Sequence, residues 1–304
     1  NQDISSWDVS SGINFFQMFY EADALDQNLR NWTVNEDALL TDMFYSADLM
    51  QSNQGVGDTP SIDYFNTYIN SYIFTDKTTL QTAIDAWIED PDAAKETYGE
   101  INTWDVSEIS DFSSLFEDKS TFNSDISNWD VSNGNNFSRM FYSASDFNQD
   151  IGSWDLSSGT DFSGMLAHTT KFNQDIGDWD VSSGTDFGYM FFNASVFDED
   201  IGDWDVSSGT DFGYMFSNHT SMIFNQDISS WDVSSGIYFL GMFRNASEFD
   251  QEIGGWDVSS GTDFGYMFEG ASAFNQDLSS WTVNEDALLK DMFYGADLMK
   301  SIQG

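Results

Sequence analysis

The chain of 304 residues has no cysteine, only two prolines and few basic residues. Without cysteine it can form neither a disulfide framework nor a thiolate metal site, and its redox compartment cannot be inferred from cysteine usage. The 9 Lys and Arg stand against 52 Asp and Glu, which gives a formal net charge of −43. Such a surface repels nucleic acid and anionic membranes, so we expect neither as a partner and expect cations instead.

Also absent is any apolar run long enough to span a bilayer, and we expect no membrane insertion. No secretion signal is visible, but the first residues lie in the middle of a repeat, so this carries little information. Aromatic residues are abundant instead, with 28 Phe, 12 Tyr and 11 Trp. This apolar material suffices for a continuous core, and the composition therefore predicts a folded protein.

A repeat of 25 residues runs through most of the sequence. Each unit has a tryptophan followed eleven residues later by methionine or, once, by Leu115, and one step between tryptophans is 27 residues. The ten tryptophans of the repeat are Trp7, Trp32, Trp104, Trp129, Trp154, Trp179, Trp204, Trp231, Trp256 and Trp281. A fixed period of about 20 to 50 residues predicts a solenoid, in which each unit buries its apolar face against its neighbours.

A larger duplication links the two ends of the sequence. Residues 32–50 and 281–299 differ only at Thr41/Lys290 and Ser46/Gly295, and the match continues to Gly55 and Gly304. We interpret the chain as part of a longer tandem array, with one complete module and the end of the module before it.

The unit at residues 172–194 illustrates the predicted secondary structure. Trp179 and Val181 alternate with polar residues, which is typical of a short strand with one buried face. After a Ser-Gly turn, apolar residues follow at the spacing of a short helix: Phe187, Met190, Phe191 and Ala194. Stacked units would form a leucine-rich-repeat-like α/β solenoid, with a parallel sheet on one side and short helices on the other. The alternative is an all-β solenoid in which the FxxMF segment is a second strand.

Residues 172–195 read FNQDIGDWDVSSGTDFGYMFFNAS. This unit resembles the repeat of BspA-like leucine-rich-repeat surface proteins, which typically reads FNxDIxxWDVSxVTxMxxMFxxAxx, and the resemblance covers residues 1–50 and 101–299. The chain departs from that pattern in two ways. Glycine replaces the valine after the serine at Gly184, Gly209 and Gly261. Phenylalanine replaces the first methionine at Phe187, Phe212 and Phe264. The resemblance implies a surface-exposed or secreted protein of adhesion or interaction, and it brings no catalytic residues.

Residues 51–100 interrupt the repeat and contain both prolines. The apolar spacing between positions 78 and 90 predicts an amphipathic helix, with Asp76 or Thr78 as its cap and Pro91 after its end. We predict four parts: closing repeats of a preceding module (1–50), a linker (51–74), an N-terminal helical cap (75–100) and a repeat solenoid (101–304) whose closing unit starts at 275.

Aspartates recur one residue after the tryptophan and four residues before it, so stacked units would bring like charges about 5 Å apart. Either each carboxylate accepts hydrogen bonds from turn amides and serine hydroxyls, or some rows bind Ca²⁺, which prefers several oxygen ligands. The most acidic stretch is the best candidate for a calcium site, with Asp178, Asp180, Asp200, Asp203 and Asp205. No DxDxDG loop is present.

Other side chains are candidates for modification or binding. The Asn-x-Ser/Thr sequons are candidate glycosylation sites: Asn31, Asn136, Asn193, Asn218 and Asn245. The last three share one position in the repeat, so their glycans would project from one edge. Tyr189, Tyr214 and Tyr266 also share a position, where they either cover the core or form a row of rings that stacks on sugars. His168 and His219 lie at non-equivalent, loop-like positions, and we expect exposed substitutions.

The repeat favours a structural protein over an enzyme. Each unit offers its carboxylates nearly the same environment, whereas a catalytic pair needs two different ones, and no nucleophile motif or phosphate-binding loop is present. We expect an extracellular or cell-surface structural protein whose tandem modules form a fibre, appendage or stalk, stiffened by Ca²⁺ and glycosylated. It would contact copies of itself and cations. The alternative is an adhesion or binding module that recognises a protein or glycan through the solenoid face.

Overall fold

The computed structural model describes residues 4, 7, 9–25, 27, 29, 32–35, 37–54, 56–65 and 72–302. The chain divides into two compact units, Asn1–Tyr72 (unit 1) and Ile73–Gly304 (unit 2). Each unit has its own cluster of buried hydrophobic residues. The assignment of the sequence to closing repeats, linker, helical cap and solenoid stays a prediction.

Helices lie before and after the repeats rather than within them. Unit 1 contains α1 (Asp48–Gln54) and α2 (Ile62–Phe65). Unit 2 contains α3 (Lys77–Glu89), α4 (Pro91–Tyr98), a 3₁₀ turn (Ile101–Thr103) and α5 (Asp297–Ile302).

Helix α3 has the caps that the sequence predicts. Oδ1 of Asp76 accepts a hydrogen bond from the amide of Thr79, and Pro91 occupies the first turn of α4, so α3 ends before it. The apolar face of α3 is buried in the core of unit 2, with Leu80, Ala83, Ile84 and Trp87. The prediction of an amphipathic helix ahead of the repeats is confirmed.

In unit 2 the repeats form coils that stack, so that equivalent aromatic rings lie on one another. The ring centroid of Phe187 is 5.6 Å from that of Phe162 and 5.7 Å from that of Phe212. Further rows contain the pairs Phe191 and Phe216, Phe172 and Phe197, and Trp204 and Trp231. These rings are buried. Each coil therefore supplies the apolar surface that covers the next.

The tryptophans also join neighbouring coils by hydrogen bonds. Nε1 of Trp179 donates to the carbonyl of Ile151 at 2.9 Å, which satisfies a buried acceptor. The coil between Trp204 and Trp231 is two residues longer, yet Nε1 of Trp231 still reaches the carbonyl of Ile201 at 3.0 Å. The insertion therefore leaves the register of the tryptophan row unchanged.

The segment predicted to be a helix, residues 187–194, is a run of turns. Tyr189 and Asn193 have φ of 59° and 58°, a left-handed conformation that interrupts a right-handed helix. Alternate amides donate to carbonyls of the following coil, those of Phe187, Tyr189, Phe191 and Asn193. The amides between them close turns within the coil. Because left-handed residues recur every four positions, apolar side chains recur at helical spacing without a helix.

The segment predicted to be a strand, residues 176–182, contains turns at 177–178 and 182 and no strand. The amide of Trp179 donates to the carbonyl of Ile176, so it is used within its own coil. Within the described residues, the β-type pairing between neighbouring coils of unit 2 is confined to isolated parallel bridges, such as those that join Asp186 to Asp161 and Asp211.

The predicted fold class is therefore wrong. No residue in the described ranges belongs to a β-strand, and no helix lies inside a coil, so the chain is not an α/β solenoid with a parallel sheet. The all-β alternative is wrong for the same reason. The coils are held together by stacked rings and single inter-coil hydrogen bonds because closely spaced turns leave no run of residues long enough to pair as a strand.

Unit 1 contains a shorter stack of the same kind. The rings of Trp7 and Trp32 stack at 6.4 Å, and those of Phe19 and Phe44 at 5.6 Å. Residues 56–65 complete the core of this unit with the buried side chains of Val56, Tyr64 and Phe65.

Candidate interaction surface

The aspartates beside each tryptophan cap turns. Oδ1 of Asp180 accepts hydrogen bonds from the amide and the hydroxyl of Ser182, at 3.0 and 2.6 Å. Oδ1 of Asp200, four residues before Trp204, accepts from the amide of Gly202 at 2.9 Å. The hydrogen-bonded alternative for these rows is confirmed.

Serine hydrogen bonds favour the ionised carboxylate in the row after the tryptophan. The hydroxyl and amide of Ser207 lower the pKa of Asp205 below its usual value, and Ser157, Ser234 and Ser259 do the same for the equivalent aspartates. These local bonds offset part of the repulsion between like charges in successive coils.

The five aspartates of the predicted calcium site are exposed. Within the part of the chain that the structure describes, no group of three or more His, Cys, Asp or Glu side chains is arranged to hold a metal ion. Calcium binding by Asp178, Asp180, Asp200, Asp203 and Asp205 stays a prediction.

A further row of carboxylates is partly buried, and sequence reasoning did not identify it. Asp161, Asp186 and Asp211 occupy the bridge positions of three successive coils. Burial raises the pKa of Asp186, and so do the charges of Asp211 and Asp161, while the hydrogen bond from the amide of Gly188 opposes the rise. The signal in the sequence is an aspartate seven residues after five of the ten repeat tryptophans.

The charge of Asp186 is expected to destabilise the fold at neutral pH. The pKa of the folded state lies above the unfolded value, so the cost is present at high pH and disappears as the pH falls below the folded pKa. Asn136 shows that an amide fits an equivalent position, because its Oδ1 accepts from the amide of Ser138 at 3.0 Å. We expect Asp186→Asn to raise the melting midpoint at pH 7 by about 1–3 °C, for roughly 0.2–1 kcal/mol.

Calorimetry at pH 7 and at about pH 3, which lies below both the folded and the unfolded pKa of Asp186, measures this effect. The gain is expected to vanish at the lower pH. Asp257→Asn is the matched control, because serine hydrogen bonds lower the pKa of Asp257 and its replacement should bring no gain at pH 7. An equal gain from Asp186→Asn at both pH values would contradict the prediction.

Two of the sequons owe their shared position to the backbone. Asn193 and Asn245 both have a φ of 58°, a left-handed conformation that asparagine adopts more readily than most residues. The side chain of Asn193 is buried, and its Oδ1 accepts from the amide of His219 at 2.7 Å. The backbone conformation at these two positions therefore favours asparagine.

The remaining sequons have different surroundings. The side chain of Asn218 is buried, and its Oδ1 accepts from the amide of Thr220 at 2.9 Å. Asn136 is half-buried, and Asn31 lies outside the described residues. Glycosylation at the five sequons stays a prediction.

The two histidines of the chain come together in unit 2. The ring centroids of His168 and His219 lie 6.2 Å apart, and each ring packs edge-on against Phe192, at 5.2 and 5.1 Å. His219 is exposed, as expected, whereas His168 is half-buried. Burial lowers the pKa of His168, the positive charge of His219 lowers it further, and Asp118 opposes this. The coil with the two-residue insertion contains His219.

Two of the three candidate tyrosines join this cluster. Tyr189 stacks on Tyr214 at 4.9 Å, packs against Phe192 at 5.5 Å and is 46% exposed. Tyr266 lies elsewhere, with the cationic groups of Arg244 and Lys290 at 5.7 and 5.1 Å from its ring. We call the following residues the aromatic patch: Tyr142, His168, Tyr189, Phe192, Tyr214 and His219. The other coils do not form an equivalent surface, because both histidines of the chain belong to the aromatic patch.

Comparison with known proteins accounts for the repeats. One family matches residues 1–56, 91–201, 154–235 and 185–303, and it is described as Mycoplasma protein of unknown function, DUF285. The chain belongs to the DUF285 family. The overlapping matches show that DUF285 sequence recurs in tandem along both units. The resemblance to BspA-like repeats is compatible with DUF285 membership without being specific to it.

No curated protein and no solved structure matches this DUF285 chain. None of the helices that the structure describes has the length and apolar character needed to cross a bilayer.

Proposed function

We propose that the chain is an extracellular or cell-surface structural protein, in which modules of stacked coils follow one another in tandem to form a fibre, appendage or stalk. Under this proposal its main partners are copies of itself and cations, nucleic acid is not a partner, and the chain has no catalytic role. Bound Ca²⁺ and glycans belong to the proposal as stiffening and decorating elements.

The observation that carries the proposal is the continuous stacking of coils in unit 2. Equivalent rings stack from Phe112 to Phe264 without a break, across the coil that contains two additional residues. Such repetition makes each coil depend on its neighbours, which resists bending and local opening. The near-identity of residues 32–50 and 281–299 adds support, because the same closing unit occurs in both units.

Electron microscopy of the native material tests the proposal. We expect filaments with an axial repeat that matches one module. Isolated globular particles at the concentrations found at the cell surface would contradict it.

A second candidate is an adhesion or binding module that recognises a protein or glycan. The aromatic patch favours it, because a half-exposed pair of stacked tyrosines next to two histidines is the kind of surface on which a sugar ring or an aromatic side chain packs. The resemblance to BspA-like surface proteins points the same way.

A further inference from the structure

The two closing units have nearly the same sequence but different surroundings. In unit 1, Trp32 and Leu40 are 1% and 6% exposed. The equivalent residues of unit 2 are Trp281, which is half-buried, and Leu289, which is 50% exposed. Since residues 32–50 and 281–299 differ at only two positions, the difference in burial comes from what covers them.

Residues 56–65, which we call the covering segment, cover the closing unit of unit 1. The ring of Phe65 stacks on Trp32 and also contacts Phe44, with centroids 6.2 Å apart in each case. Tyr64 packs edge-on against Phe44 at 6.3 Å. The covering segment therefore supplies the aromatic contacts that a following coil would make.

The covering segment also replaces the hydrogen bonds of a following coil. The amide of Phe44 donates to the carbonyl of Asp58 at 2.9 Å, and the amide of Asp42 donates to Oγ1 of Thr59 at 2.9 Å. Inside unit 2, the amides at the equivalent positions donate to the next coil, as that of Phe268 does to the carbonyl of Met292 at 2.9 Å.

The closing unit of unit 2 has no such cover. Among the residues that the structure describes, the amides of Asp291 and Phe293 have no hydrogen-bond acceptor, although they correspond to Asp42 and Phe44. Leu289 is 50% exposed, whereas the equivalent Leu40 is 6% exposed. We call this surface, made by Trp281, Leu289, Asp291 and Phe293, the end face.

The two sequence differences lie outside the residues that make the end face. Thr41 and Lys290 are both exposed. Ser46 and Gly295 both have a positive φ, 58° and 81°, so the backbone turns in the same way in both units. A segment that fits the closing unit of unit 1 therefore fits that of unit 2.

We infer that the end face is a docking surface for a further copy of the covering segment. This inference rests on the tandem arrangement proposed above, in which the next module supplies that copy. Asp58 and Thr59 of the copy would accept from the amides of Phe293 and Asp291, and its Tyr-Phe pair would cover Trp281 and Phe293. The last coil of each module would then be covered by a short segment that supplies the contacts of a following coil.

The test compares the 304-residue chain with a chain that carries a copy of residues 56–65 directly after Gly304, the position equivalent to Gly55. Hydrogen exchange is followed at the amides of Asp291 and Phe293, with the amide of Phe44 as internal reference. We expect the copy to slow exchange at Phe293 at least tenfold, while Phe44 is unchanged. The matched control carries the same copy with its tyrosine and phenylalanine replaced by alanine, and its exchange should equal that of the unextended chain.

Equal exchange in the extended and unextended chains would overturn the inference. Slower exchange that appears only together with dimers in light scattering would also overturn it, because the cover would then come from a second chain. These outcomes are separate from the test of the proposed function: native filaments seen by microscopy would leave the tandem arrangement standing even where the copy does not dock.

Discussion

Replacing Phe216 by alanine is expected to lower the free energy of unfolding of unit 2 by about 3–5 kcal/mol. The ring is completely buried and contacts rings on several sides: Phe191 at 5.6 Å, Phe224 at 4.1 Å, Trp231 at 6.2 Å and Phe243 at 5.8 Å. Its removal leaves a cavity in the middle of the row of stacked rings that contains Phe191, Phe216 and Phe243. Urea unfolding followed by circular dichroism measures the loss.

Tyr238→Ala is the control for this experiment. Tyr238 is an aromatic residue in the adjacent coil and is 49% exposed, so its removal should cost much less than that of Phe216. If the two variants were equally destabilised, the stacked rings would not be the main source of stability in unit 2.

Gly184→Val is expected to destabilise unit 2 by about 1–3 kcal/mol through overpacking. A Cβ atom at Gly184 would lie 2.4 Å from Cζ of Phe187 and 2.9 Å from the carbonyl oxygen of Val181. The two departures from the BspA-like pattern are therefore coupled: glycine replaces valine where phenylalanine replaces methionine. We expect Phe187→Met to restore part of the lost stability in the double variant, although the conflict with the carbonyl of Val181 remains.

A double-mutant cycle with urea unfolding measures the coupling between positions 184 and 187. Gly255→Val is the matched control, because nothing lies within 4 Å of a Cβ atom built there and its effect should be small. Strict additivity of the two substitutions would contradict the coupling.

The first coil of unit 2 combines Ile109 with Phe112, whose ring stacks on Phe137 of the following coil alone. Ile109 and Phe112 correspond to Gly184 and Phe187. A β-branched residue at the glycine position is thus compatible with phenylalanine where the phenylalanine ring does not also stack on a ring of a preceding coil.

The sequence predicted the contents of the core well and the backbone of each coil poorly. Trp179, Val181, Phe187 and Phe191 are all buried, as their spacing indicates. The same spacing misled the secondary-structure prediction. A left-handed residue at Tyr189 and another four positions later produce helical periodicity from turns, and single-residue bridges produce no strand.

A partial signal for these turns was present in the sequence. Fourteen residues after the tryptophans, Asp118, Asn193, Asn245 and Gly270 are of types that tolerate a positive φ, and each of them has one. Glu21, Ser46 and Ser143 have a positive φ at the same position, whereas Asn218 does not. We read the asparagines as sequons because the Asn-x-Ser/Thr pattern has a chemical meaning of its own. The residue types at that position are too mixed across the coils to show the backbone requirement by themselves.

The aromatic patch and the end face could not be predicted from the sequence. His168 and His219 belong to coils that are not consecutive, and the ring of Phe192, in the coil between them, packs against both. The hydrogen-bonded role of the aspartates was predicted as one alternative, because an aspartate two residues before a serine or glycine amide favours such a turn.

The sequence by itself determined that the coils stack in register. A period of 25 residues places equivalent side chains over one another, and apolar rings are stabilised by burial against the equivalent rings of the neighbouring coils. It also determined helix α3, whose cap, apolar stripe and terminating proline are all local. Only the tertiary structure decided how each coil is built, because the turns depend on hydrogen bonds between residues about one repeat apart. It also decided where the stack ends, because that depends on whether a segment such as residues 56–65 lies on the last coil.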